Sequence, residues 1–215
     1  MSKMGYENIV FARIDEDEKI QRRINKTLEF FWRPYTAYDN GSTKLFTHIL
    51  LEHYKPPDNS GFEMYRNYER LDSKAKRLIY WVEYTSKIFL TNHRLILYGD
   101  DFTFNNALDE YSTIERLIDY VNENEFYNKK VKIFYSTLEN YFNSLHQSDV
   151  EFPDYNDIDF FPYTDTKKHY WTGFFTSRPF IKGVVRETGK YLSVANKIYL
   201  EEILDRKLSN KLLQK

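Results

Sequence analysis

Residues 157–182 read DIDFFPYTDTKKHYWTGFFTSRPFIK. Within this stretch Phe160, Phe161, Tyr163, Tyr170, Trp171, Phe174 and Phe175 are mixed with Asp157, Asp159, Asp165, Arg178 and Lys182. Aromatic faces beside carboxylates and cations suit a sugar, which offers C–H faces to rings and hydroxyls to charges. The same residues also describe a buried aromatic hinge leading into a helix. Composition leaves both readings open.

Outward from there, residues 179–211 predict a long helix with Pro179 in its first turn, although Gly183 and Gly189 weaken its start. No strand follows it, so its apolar face must pack on the domain or on a partner. Upstream, Ile9, Val10 and Phe11 predict a buried strand within residues 5–14. Ile20, Ile24, Leu28 and Phe31 recur at helical spacing and predict a helix over 17–32, capped by Asp15 or Asp17. A turn falls at 39–42, a second apolar run at 45–51 and a loop at 55–61. Further helices are expected over 73–90, 111–122 and 138–145, with strands over 94–98 and 131–135. This alternation predicts an α/β domain with a mostly parallel sheet.

Composition narrows the function. The 215 residues carry a net charge of -1 with 29% charged side chains, so nothing favours a polyanion, and nucleic acid is not expected as a partner. Aromatics reach 18%, with 19 Tyr and 17 Phe, more than a generic core needs. With no cysteine, disulfides and thiolate zinc sites are excluded. No apolar run is long enough to span a membrane, and the first residues lack the apolar stretch of a signal peptide.

The sharpest chemical feature is RLILY at 94–98 followed by Gly99-Asp100-Asp101. A strand ending in two carboxylates places them where α/β folds bind ligands. The glycine allows a tight turn and close approach of substrate. Adjacent carboxylates can also raise one another's pKa, as a general acid requires. The competing reading is a turn whose Asp caps the next helix. His48, His53, His93, His146 and His169 fall at no strong metal-ligand spacing and read as surface or core residues.

DFFPYTD at 159–165, followed by YWTGFFTSRP at 170–179, resembles glycoside hydrolase family 38, the zinc-dependent retaining α-mannosidases. The likeness runs from about residue 3 to about residue 204. SKMGYENIVFARID at 2–15 is similar to the family's strand after the nucleophile segment, and Arg13 matches its active-site arginine. LFTHILLEHYKPP at 45–57 places Tyr54 on a tyrosine that lines the sugar site, and Thr91-Asn92-His93 resembles the segment before the acid strand. Asp101, followed by Phe102, matches the acid/base carboxylate; Asp100 and Trp171 match substrate-contacting positions. The resemblance implies part of a distorted β/α barrel, with residues 1–178 in the catalytic domain and 179–215 a helix entering a helical middle domain. It implies hydrolysis of terminal α-mannose from N-glycan-type oligosaccharides, zinc in the complete enzyme, and a lysosomal or other secretory-pathway compartment.

Departures accompany the matches. The family's His-x-Asp motif, its Asp-Pro-Phe-Gly-His string with the nucleophile, and its distant ligand histidine do not occur here. The chain alone is therefore expected to bind no zinc and to be inactive, which leaves a second reading, a non-catalytic truncated copy or mannose-binding fragment. Asn25-Lys26-Thr27 and Asn40-Gly41-Ser42 fit the N-glycosylation pattern.

Overall fold

The computed structural model describes residues 1–39, 42–58, 60–62, 70–126, 131–166 and 168–213; Asn40 and Gly41 of the expected 39–42 turn and Asn59 of the 55–61 loop lie outside them. The chain divides into two compact units, Met1–Tyr170 and Trp171–Lys215.

The first unit is α/β. Its strands are β1 (Asn8–Phe11), β2 (Glu29–Arg33), β3 (Leu45–Ile49) and β4 (Asp154–Asn156), in sheet order β1-β3-β2-β4. β1 pairs with β3 and β2 with β4 in parallel, whereas β2 and β3 are antiparallel. The sheet is mixed, with two of its three pairings parallel and one antiparallel, and among the described residues it does not close on itself. The antiparallel strand comes from residues expected to continue a helix. That helix, α1 (Glu16–Asn25), stops where Lys26 turns left-handed at φ 55 and gives its N–H to Arg22 and Arg23 carbonyls. Leu28 and Phe31 keep helical spacing, but Phe30 is equally apolar, and the extended backbone buries Leu28 and Phe30 and half-buries Phe31. Leu28, Phe30 and Trp32 face a core with Ile14, Ile49 and Phe160. Phe31, on the opposite face, meets Phe46 and the residues of α5 (Leu138–His146).

Helices α3 (Leu71–Thr85) and α4 (Ala107–Glu123) pack through Ala75, Leu78 and Ile79 against Ile114, Leu117 and Val121. The short α2 (Thr36–Asp39) lies between β2 and β3. Residues 94–98 and 131–135, expected as strands, form no ladder among the described residues. Their apolar side chains are used differently: Ile96, Tyr98, Val131 and Ile133 lie against the α3–α4 core. An apolar run secures burial, and a strand also needs a neighbouring backbone to pair with.

Phe160 packs on the core around Leu28 and Phe30, while Asp157 and Asp159 are exposed. Trp32 donates its indole N–H to the Ile158 carbonyl at 2.9 Å, and the Phe160 ring sits 5.1 Å from Phe11 and 5.2 Å from Trp32. In the second unit, α6 (Thr172–Thr176) precedes the long α7 (Pro179–Leu213). Phe180, Val185, Tyr191, Leu192, Ile198 and Leu204 of α7 are exposed.

Candidate active site

Gly99 takes φ 150, a backbone region that side chains rarely adopt, and starts a tight turn. Asp100 Oδ1 accepts the Asp101 N–H at 2.8 Å, while the Asp100 N–H reaches Thr103 Oγ1 at 3.0 Å. Thr103 Oγ1 in turn donates to the Asp100 carbonyl at 2.8 Å. Neither aspartate caps α4, because that position belongs to Asn106. Asp100 thus shapes the turn, and Asp101 is left exposed.

Asp101 accepts a hydrogen bond from the Tyr54 hydroxyl at 3.0 Å across 47 residues of chain. That bond and the adjacent carboxylate charge raise the Tyr54 pKa, so the phenol stays a donor. Asp100 adds to the rise and Arg13 opposes it, which places both charges near the same phenol. The structure therefore brings Arg13, Tyr54, Asp100 and Asp101 together. Trp171 opens the second unit as the N-cap of α6, with 39% of its surface exposed.

Tyr163 and His53 extend the group. The Arg13 guanidinium lies over the Tyr163 ring at 5.6 Å, and the buried Tyr163 hydroxyl is 3.2 Å from His53 Nε2. Burial lowers the His53 pKa, and Arg13, Lys19 and Lys55 lower it further, which favours a neutral ring. Asp165 Oδ1 lies 2.7 Å from His169 Nδ1. Residue spacing did not single out His53; the signal lay in its position beside Tyr54. Tyr163 and Asp165 were present in the DFFPYTD string. Phe102, noted only as a family marker, is 92% exposed at φ 59, a strained state for an aromatic residue.

The profile of the glycosyl hydrolases family 38 N-terminal domain matches residues 1–166. The chain belongs to glycosyl hydrolase family 38. It is 29% identical to the lysosomal alpha-mannosidase of Cavia porcellus over 92% of this chain and 21% of that protein. It is 32% identical to a probable alpha-mannosidase of Arabidopsis thaliana, over 92% of this chain and 19% of that one. With the lysosomal alpha-mannosidase of Dictyostelium discoideum the identity is 30%, over 91% and 20%. The family 38 chain thus spans about a fifth of the length of these relatives. The zinc that the resemblance implies does not fit the residues described here. Among them, no group of three or more His, Asp or Glu side chains could hold a metal ion. No described helix is long and apolar enough to cross a membrane.

Proposed function

We propose that this chain is part of a retaining exo-α-mannosidase acting on terminal α-mannose of N-glycan-type oligosaccharides. The observation that carries the proposal is the 3.0 Å bond between Tyr54 and Asp101, with Arg13 and Asp100 beside it. In this reading Asp101 protonates the leaving glycosidic oxygen and then activates water for the second step. Tyr54 orients the Asp101 carboxylate. Arg13 favours a nearby ionised carboxylate and, with Asp100 and Trp171, orders the sugar. Residues 1–178 would form part of a distorted β/α barrel, and 179–215 would lead into a helical middle domain. A lysosomal or other secretory-pathway compartment follows from the same reading, and Asn25, exposed at the end of α1, would be a glycan acceptor there.

A retaining glycosidase needs a second carboxylate about 5–5.5 Å from the first. The family's Asp-Pro-Phe-Gly-His string, which supplies it, does not occur in the 215 residues. The chain by itself therefore binds methyl α-mannoside, more weakly after Tyr54→Phe, and does not hydrolyse an aryl α-mannoside. Zinc-dependent hydrolysis by the purified chain, abolished by Asp101→Asn, would overturn its inactivity. In any longer form that turns the substrate over, Asp101→Asn lowers kcat by about 10²–10⁴. An unchanged rate there removes Asp101 from the mechanism.

A further inference from the structure

The candidate acid stands in a turn that backbone preference alone does not favour. After Gly99 at φ 150, Phe102 and Phe104 both take positive φ, 59 and 60, a region that is costly for a residue with a side chain. Such a conformation persists only where its surroundings hold it. Two side chains do so here. The Phe104 ring lies 5.9 Å from that of Tyr98 and 5.6 Å from that of Tyr111 on α4, which ties the end of the turn to the helix. Thr103 holds its beginning.

The Thr103 hydroxyl works in both directions. It accepts the Asp100 N–H at 3.0 Å and donates to the Asp100 carbonyl at 2.8 Å, and the Thr103 N–H reaches the same carbonyl at 3.3 Å. That carbonyl belongs to the peptide unit leading into Asp101. The other polar group of the unit, the Asp101 N–H, is held by Asp100 Oδ1 at 2.8 Å. The peptide plane from which Asp101 departs is therefore fixed at both of its polar groups. Asp101 itself is exposed, so packing does not aim it, yet its carboxylate meets the Tyr54 hydroxyl at 3.0 Å across 47 residues of chain.

We propose that Thr103 is a positioning residue, which aims Asp101 at Tyr54 by locking the Asp100–Asp101 peptide. The proposal rests on the function proposed above in taking Asp101 as the acid.

Tyr54 supplies the readout, because accepting its hydrogen bond lets Asp101 raise its pKa above the ordinary value of 10. The chain is prepared with ¹³C at the tyrosine Cζ, and the Tyr54 resonance is identified by its loss in Tyr54→Phe. At pH 10 an ordinary tyrosine is half ionised. Tyr54 is then less than half ionised, and Asp101→Ala returns it to about half. Thr103→Val keeps the side-chain shape and loses the hydroxyl. It moves Tyr54 more than halfway to the Asp101→Ala value, whereas Thr103→Ser keeps the value of the unsubstituted chain. A second measurement needs no variant. In the unsubstituted chain the Asp100 amide exchanges its hydrogen about tenfold more slowly than that of Phe102, which has no acceptor among the described residues. Tyr54 unmoved by Thr103→Val, or an Asp100 amide that exchanges as fast as that of Phe102, overturns the positioning role alone. Tyr54 indifferent to Asp101→Ala overturns the contact itself, and with it both the positioning role and the function proposed above.

Discussion

Lys19 ties stability to pH. Its pKa is about 8 in the folded chain against 10.5 for an ordinary lysine. Below pH 8 both states carry the proton and the burial penalty is complete. Between pH 8 and 10.5 the folded state releases its proton first, so the unfolded state binds more protons and stability rises. The phenols of Tyr98 and Tyr141 act in the opposite sense, because burial raises both above the ordinary value of 10. As pH passes 10 the unfolded phenols ionise first and stability falls. Urea unfolding should therefore show a stability maximum on the alkaline side, between pH 8 and 10, and Lys19→Met should flatten the rise while keeping the fall. At this scale the site was partly legible. Tyr54 and Asp101 stood in strings that could be matched, and a hydrogen bond of 3.0 Å joins their side chains. His53 could not be read this way, since its partner Tyr163 lies 110 residues away and no local pattern encodes that meeting.

The start of α1 shows what a single element depends on. Asp15 Oδ1 accepts the Glu18 N–H at 3.1 Å, the ordinary N-cap bond. Its other oxygen accepts from the Thr164 hydroxyl at 3.1 Å, and that hydroxyl takes the Glu16 N–H at 2.8 Å. One carboxylate thus caps a helix and anchors the aromatic stretch to it. Asp15→Ala should cost about 1–2 kcal/mol in urea unfolding, the upper part of the N-cap range, and Asp15→Asn should recover part of it. The cap itself was visible in the sequence, as was β3, whose apolar run is buried throughout. β4 was not, because Asp154-Tyr155-Asn156 has no apolar alternation and is a strand only by its pairing with β2. Residues 94–98 show the converse, an apolar run that is buried without a ladder.

For the molecule as a whole, the long α7 carries a run of exposed apolar side chains among the described residues. Val185 and Leu192 lie seven residues apart, on one side of the helix, with 64% and 62% of their surface exposed. Surface of this kind drives association in water. Sedimentation of the purified chain should show self-association that weakens when Val185 and Leu192 are both replaced by Glu. A chain that stays monomeric without those substitutions would show that α7 does not drive association. The class of the fold could be read from alternating elements, but the sheet order could not, since it depends on contacts between distant residues.

The sheet order also sets a timetable. β1, α1, β2 and β3 lie within the first 49 residues, and their pairing needs only short chain closures. β4 joins β2 across more than a hundred intervening residues, and the Asp15–Thr164 bond closes a span of 149. Contacts so distant in sequence slow folding, because loop entropy is lost before they form. On the ribosome, the edge of β2 and the start of α1 would wait, half-finished, until residues 154–164 emerge. The stretch that carries the family likeness is thus also the last part of the first unit to reach its place.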